Sequence, residues 1–504
     1  MSSPPDIEVL VVGAGPVGCW VAAELSAAGV RVMVVEAREN RAAFSRGFVV
    51  HPRTLEIFDS RGAAAPMLAA SRQLPTWHFA MGAARLDFAV LPTTFPFILL
   101  QPQAQTEEML EEHLRRCGGE VLRGRRVVSL RQEPDRVVAL VRHDGAEHEV
   151  GARFVVGCDG AHSTVREAAG IGFTGTPDTM VSPAALVELA DPPPPEGYLQ
   201  GNERGLLFVI PLPDGRFVVS TIDHAVMAEV NKPWTARMVR DSLIRISGTD
   251  YGLGEVERVS TIGNSALQAD RYRDGRILLA GDAAHVHFPM GGQGMNLGVQ
   301  DAHNLAWRLI AAVHAERDGD AAGARDDIDA LLDGYEAERR PAGERVLEDV
   351  HAQMGLVAAT GADGAALRGR FEALLAEHPS VNAQYARRLS GIAVRYGDGD
   401  GAPDGDEGGD EGGDDRLGAR VPDLLLEQDG GEPVPLYELL RGIGPGRFVR
   451  LTVGGGRTGP EAGVAAVITT TAVLGPGWAV RDGWDRPGSV LIRPDGHVAE
   501  VMTW

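Results

Sequence analysis

Six residues near the start of the chain, Gly13-Ala14-Gly15-Pro16-Val17-Gly18, follow the apolar run IEVLVV and precede a stretch of helical period at 16–28. Strand, glycine loop and helix in that order form a receptor for a pyrophosphate. Gly13 permits the tight turn, Gly15 lets the backbone approach the phosphates, and Gly18 lets helix and strand pack closely. The helix then faces the anion with its free N–H groups. VRVMVVE reads as a second strand, and Glu36 ends it, where an acid bonds the ribose hydroxyls of an AMP moiety. Ala37 and Arg38 continue the same candidate site. A plain turn of small residues would share the glycines but not the flanking strand, helix and terminal acid. The motif specifies a dinucleotide without saying which one.

Two further stretches narrow the choice. Cys158-Asp159-Gly160-Ala161-His162-Ser163-Thr164-Val165-Arg166 closes the apolar strand ARFVVG. Arg276 to Gly281-Asp282-Ala283-Ala284-His285 closes another, then runs through Pro289-Met290-Gly291-Gly292-Gln293-Gly294-Met295-Asn296 into a helical stretch at 295–314. Asp282, at a strand end, is placed to bond a ribityl hydroxyl. The glycines at 291–294 let the backbone approach an isoalloxazine ring. A helix starting near Met295 points its positive end at the N1–C2=O edge of that ring, which favours the negatively charged reduced state. Ribityl chain and ring together specify FAD.

The three motifs, in this order and spacing, resemble those of the para-hydroxybenzoate hydroxylase-like (class A) flavoprotein monooxygenases. The resemblance spans roughly residues 7–396 and, more loosely, the C-terminal part. In detail it is similar to the aromatic polyketide hydroxylases of actinomycetes that act on anthracycline, angucycline and tetracycline scaffolds. Supporting stretches are Arg46 in SRGFVVHPRTLEIFDSRG, Pro102-Gln103 before Thr106-Glu107, and Tyr335-Glu336-Ala337-Glu338-Arg339-Arg340-Pro341. The resemblance implies that Gly13, Gly15, Gly18, Glu36, Arg46, Gln103, Asp159 and Asp282 contact FAD. It links Asp159, Gly160 and Arg166 with both FAD and NAD(P)H. It implies that NADPH or NADH binds transiently, since no second Rossmann unit is visible. It further implies that O2 adds to reduced flavin at C4a and that the hydroperoxide oxygenates an electron-rich ring of a small aromatic substrate. Gly47 stands where the family usually has Ala, and Trp504 lies three residues beyond the usual ending. Baeyer–Villiger insertion, epoxidation, antibiotic inactivation and a flavin-dependent dehydrogenase or reductase remain open alternatives. The intact flavin motifs argue against a non-catalytic sequestering protein.

Other signals are weaker. Leu389-Ser390-Gly391-Ile392-Ala393-Val394-Arg395-Tyr396 resembles a family stretch near the substrate, so Arg395 is a candidate for stabilising a phenolate and Arg46 a second candidate at the catalytic centre. A surface Arg beside a linker would look the same. His285 and His287 share one strand face, but two histidines without a carboxylate or Cys in ligand spacing make no metal site. The aromatics at 77, 79, 88, 95 and 97 either line a flat pocket or fill the core.

The elements that must position these residues read as an α/β fold. A Rossmann-like FAD-binding domain is expected at 1–175 and 266–396. It is interrupted by a β-sheet substrate domain at 176–265, with alternating aromatics at 74–101 contributing. LLFVIPLPDGRFVVSTID is a hairpin turning at Pro213-Asp214-Gly215, and His143-Asp144-Gly145 marks another. Residues 322–395 are mostly helical. Residues 397–417 hold nine acids and one Arg among glycines, too polar to bury, and are expected to be a linker. Residues 418–504 are expected to form a small thioredoxin-like domain without the redox CxxC, hence structural.

Composition limits the partners. The formal charge of -22 over 504 residues disfavours nucleic acid and anionic membrane. No run of about 18 apolar residues predicts a membrane helix. The N-terminus lacks a basic region before its apolar run, so a cytoplasmic location is expected; a monomer or homodimer is expected, the sequence not distinguishing the two. Three cysteines without a CxxC are read as small buried residues.

Overall fold

In the computed structural model the residues described are 7–41, 47–194, 198–212, 214–230, 232–318, 324–397, 414–427, 432–454, 464–470, 472–474, 479 and 483–503. Arg46, Pro213, Trp504 and residues 398–413 of the expected acidic linker lie outside them.

The strand Ile7–Val12 is flanked on both sides by parallel partners, Val32–Glu36 and the last part of Ala146–Gly157. Val121–Arg123 and Ile277–Leu279 extend the sheet outward, also in parallel. A strand covered on both faces should be apolar throughout, and Val9, Leu10 and Val11 are fully buried. The first half of Ala146–Gly157 pairs instead with the antiparallel strand Val137–His143. The tight turn between them puts Asp144 and Gly145 at φ +48° and +79°, the left-handed pair that matches the twist of a hairpin. Helix Pro16–Ala27 packs against the sheet and against the long helix Gln293–Asp318.

Phe173–Thr176 and Ala266–Ala269 pair antiparallel, so the chain leaves and re-enters this first unit side by side. Between them lies a five-stranded antiparallel sheet in the order Leu199–Asn202, Gly205–Pro211, Phe217–Asp223, Val181–Leu189, Leu253–Gly263. Period-two alternation divides its side chains. Leu207, Val209 and Val219 pack beneath helix Ala236–Ser247 with Val239 and Leu243. Leu206, Phe208 and Ile210 turn the other way, toward the first unit.

Helices Ala324–Ala358, Gly361–Glu377 and Pro379–Leu389 follow. The C-terminal unit has its own core, built from the sheet order Val464–Thr470, Phe448–Val453, Gly488–Ile492, Val498–Thr503 and helix Leu436–Ile443. Among the described residues, no helix is long and apolar enough to cross a membrane.

Candidate active site

The glycine loop carries the geometry its sequence requires. Gly13 has φ +100°, and a Cβ there would lie 2.3 Å from the Cys158 carbonyl oxygen. A Cβ on Gly18 would lie 2.0 Å from the Gly13 carbonyl oxygen, whereas one on Gly15 would meet nothing within 4 Å. Two glycines are thus fixed by protein contact, and the third borders open space. Gly15 caps helix Pro16–Ala27 without any side-chain hydrogen bond, and Pro16 opens the helix. Its first N–H groups stay available for an anion. Glu36 bends over the loop: Oε2 accepts the Ala14 N–H at 3.0 Å and Oε1 the Arg38 N–H at 2.9 Å. A carboxylate has about four lone-pair positions, so acceptor capacity remains for ribose hydroxyls. This cradle fits a dinucleotide pyrophosphate.

The three sequence motifs meet in space. Val17 abuts Gly281 and Gly298, where an added Cβ would fall 2.8 and 2.6 Å from its Cγ2. Arg166 Nη1 donates to the Ala283 carbonyl at 3.0 Å, next to exposed Asp282. Asp159 accepts from Ser163 Oγ at 2.5 Å and from the Val165 N–H at 3.1 Å. Asp159 and Arg166 therefore shape the loop that holds the 281–284 turn. Gly160 has φ +84°, and a Cβ added there would meet nothing within 4 Å, so its surface is open to a ligand.

The ring-binding candidate is the loop before Gln293–Asp318. Gly291 and Gly292 both lie at positive φ, +72° and +76°. His51 and Asn296 clamp it. Asn296 Nδ2 donates to the carbonyls of Val49 at 3.0 Å and Gly292 at 2.7 Å, and its Oδ1 accepts the His51 N–H at 2.8 Å. His51 Nε2 lies 2.9 Å from the Gly291 carbonyl and donates to it. Burial lowers the His51 pKa to about 4, so the ring is neutral. Nearby, Gln293 Nε2 and His287 Nε2 are buried without a hydrogen-bond partner among the described residues. A glycine loop bordered by buried, partnerless polar atoms fits a heterocycle rich in donors and acceptors.

That loop is also one wall of a cavity of about 800 Å3, open mouth included. Gly47, Phe48, Val49, Phe288, Pro289, Met290 and Gly292 face the inner side of the five-stranded sheet across it. Trp77, His78 and Met81 also line it. No Asp, Glu, Lys or Arg is among the described residues lining it.

Some expectations need correction. Arg395 is exposed, and its Nη2 donates to the carbonyls of Asp415 and Leu417, at 2.9 Å for the latter. It does not line the cavity, so it is withdrawn as a phenolate partner. The Asn296 amide spends its two Nδ2 hydrogens on Val49 and Gly292 and one Oδ1 lone pair on the His51 N–H, so toward a cofactor it offers its backbone and the second Oδ1 lone pair. The end of the acidic segment is packed rather than loose: Arg416 is buried and donates to the Gly483 carbonyl at 3.2 Å. Of the five aromatics, Trp77 reaches the cavity. Phe79 packs on Phe371 and Tyr385, and Phe95 on Phe97. Gln103 is tied down by Glu107 at 2.8 Å, and a Cβ on Gly47 would come within 2.7 Å of its Oε1. His285 bonds Asp301 at 2.6 Å. Sequence reading passed over His51, His78 and Asp301, which belong to no spacing pattern that would mark them.

A glycine cradle for a dinucleotide and a clamped loop for a flat heterocycle, with an apolar cavity beside it, are the geometry of a flavoprotein. The family described as FAD binding domain matches residues 6–350, and the aromatic-ring hydroxylase C-terminal family matches residues 414–503. An aromatic compound monooxygenase of Bacillus subtilis is 39% identical over 98% of this chain and 93% of its own. The solved structure of an anhydrotetracycline hydroxylase from Streptomyces rimosus superposes with TM-score 0.82 at 34% identity, covering 98% of this chain and 95% of that one. An aromatic hydroxylase from angucycline biosynthesis gives the same TM-score and identity, covering 98% and 96%. The chain belongs to the FAD-binding aromatic-ring hydroxylase family of flavin monooxygenases.

Proposed function

We propose that the enzyme oxygenates a polycyclic, electron-rich aromatic molecule of polyketide type, using NADPH or NADH as a transient reductant. The observation that carries the reading is the shared wall: the 289–292 loop, assigned to the flavin ring, is also a wall of the apolar cavity. Small-molecule sites are usually apolar clefts of roughly 300–1,000 Å3, which suits a fused-ring substrate. When bound, FAD supplies electron acceptance from the nicotinamide and activation of O2.

In this reading 1–175 and 266–396 hold the cofactor, and 176–265 with 74–101 cover the substrate. Residues 397–417 lead to a thioredoxin-like unit at 418–504. Gly13, Gly15, Pro16, Val17 and Gly18 take the pyrophosphate, and Glu36, Ala37 and Arg38 the adenosine ribose. Gln103, Asp159, Gly160, Arg166, Gly281 and Asp282 support the ribityl side. The backbone of Pro289, Gly292, Gly294, Met295 and Asn296 supports the ring. Arg46, outside the described residues, is assigned to the flavin's edge. The apolar walls exclude water and hold the substrate ring against the cofactor loop. With no ionised side chain on those described walls, ring activation rests on the substrate's own hydroxyls.

The test is a screen of phenolic polycyclic polyketides for stimulated NAD(P)H oxidation under isotopically labelled O2. The expected product is heavier by one oxygen atom, drawn from the gas. Label entering from water, or equal turnover without O2, overturns the reading in favour of a dehydrogenase.

A further inference from the structure

The fold fixes the direction of a histidine donor on the cavity wall. His78 ends the strand Thr76–His78 and is 3% exposed. Its Nδ1 lies 3.3 Å from the main-chain nitrogen of Met81 and accepts that N–H. Burial, with Arg85 and His51 nearby, lowers its pKa to about 3, so the ring is neutral near pH 7. A neutral imidazole carries one proton. Since Nδ1 spends its lone pair on the Met81 N–H, the proton sits on Nε2. Among the described residues Nε2 has no hydrogen-bond partner, and the ring lines the cavity.

The chain goes to some length to make this arrangement. Ala80 and Met81 both adopt left-handed backbone, φ +49° and +60°, which side-chain-bearing residues rarely do. The fully buried Gln353 holds the turn by accepting the Ala80 N–H at 3.1 Å. That turn aims the Met81 N–H at His78 Nδ1 and sets Met81 itself on the cavity wall. Strain retained beside a cavity points to use of the group it positions. Beside it, at 4.8 Å between ring centroids, Trp77 carries a buried Nε1 that has no hydrogen-bond partner among the described residues.

We propose that His78 is the substrate-orienting residue of this cavity, its Nε2–H binding an oxygen acceptor conjugated to the substrate's ring system. The proposal rests on the cavity being the substrate site. It restricts the substrate class to polycycles bearing a carbonyl or phenolate oxygen, because a bare hydrocarbon would bury the donor unpaired. A bound oxygen also fixes which edge of the ring lies toward the 289–292 loop, so His78 selects the position attacked.

The test compares two flat three-ring probes on the oxidised, FAD-loaded enzyme, followed by perturbation of flavin fluorescence: 1,8-dihydroxyanthraquinone and anthracene. Wild type should bind the oxygenated probe about tenfold more tightly, the worth of one buried hydrogen bond. H78F should lose that preference while still binding anthracene, and H78Q, which restores an N–H near the Nε2 position, should recover part of it. If H78F loses its flavin, H78M against H78Q makes the same comparison. An unchanged preference in H78F or H78M, or no preference in wild type, overturns the assignment to His78 and leaves the cavity reading standing. Failure of wild type to bind either probe overturns the substrate-cavity reading and this proposal together.

Discussion

His285 Nε2 stands 2.6 Å from Asp301 Oδ2, with both side chains wholly shielded from solvent. The other oxygen of Asp301 accepts from Arg339 Nε at 2.8 Å, and the Gly281 N–H lies 3.3 Å from Oδ2. Arg339 is itself fully buried and reaches Tyr396 Oη at 3.0 Å and the Leu297 carbonyl at 3.3 Å. One carboxylate therefore braces both ends of the 281–285 turn that presents Asp282. Burial alone would raise the Asp301 pKa, but Arg339 and His285 outweigh it and hold the carboxyl below its ordinary value of 3.8.

Asp301→Asn should uncouple that turn. The amide keeps the shape but removes the charge that balances Arg339. It also sets an NH2 group against either His285 or the Arg339 side. Breaking a buried ion pair on one side costs about 3–5 kcal/mol. The expected outcome is a lower Tm together with weaker FAD binding, measured by thermal denaturation and flavin fluorescence titration. Wild-type FAD affinity in the variant would show that the turn does not depend on Asp301.

Glu36→Lys should weaken FAD binding further than Asp282→Ala. The lysine removes the acceptor for the Ala14 and Arg38 N–H groups and places a cation in their stead. Lost hydrogen bonds of this kind cost about 1–3 kcal/mol, a change of about tenfold to a hundredfold in affinity. Equilibrium binding of FAD to the apoprotein measures both variants. Equal affinities to wild type would remove Glu36 from the site.

Much of this was legible from short-range pattern. The roles of Gly13, Gly15 and Gly18 follow from a strand and helix adjacent in sequence, and the structure gives Gly13 the positive φ that the turn requires. What could not be read is whatever depends on distant chain segments meeting. Asn296 reads as a cofactor residue because it adjoins a glycine loop. Its Oδ1 accepts the N–H of His51, 245 positions earlier, and its Nδ2 donates to Val49 and Gly292. Arg395 looks like a free cation in the sequence, yet it is spent on carbonyls some twenty residues further on. His78 carries no motif at all; its meaning comes from the direction of one N–H, set by a turn whose left-handed residues are not glycine. Periodicity reports burial, and burial alone does not tell which polar atom is left facing a cavity.

The C-terminal unit is held to the rest of the chain through Asp495. This buried carboxylate takes Asn304 Nδ2 at 3.1 Å, Trp307 Nε1 at 3.3 Å and Arg493 Nη2 at 2.5 Å. Arg493 also spans to Glu338 at 2.7 Å. Asn304 and Trp307 lie on helix Gln293–Asp318, whose start follows the flavin loop. Arg53 Nη2 and Arg61 Nη2 add bonds to the carbonyls of Asp495 and Pro494, at 2.9 and 2.7 Å. The unit is thus latched to the cofactor-binding part through buried charge. Burial would raise the Asp495 pKa, yet Arg493 and His497 bring it well below 3.8. A carboxylate with a depressed folded pKa stabilises above its unfolded value and loses that contribution as pH falls through the folded one. The latch should therefore be intact at neutral pH and weaken only below about pH 4. Asp495→Ala should lower stability at pH 7 by about 1–3 kcal/mol, since it removes the acceptor of Asn304 Nδ2 and Trp307 Nε1 and leaves Arg493 paired with Glu338 alone. It should also flatten the acid limb of the stability profile relative to wild type. Denaturant unfolding from pH 7 down to the acid transition reads both effects. An Asp495→Ala profile parallel to wild type across that range would mean that the latch carries no charge-dependent stability.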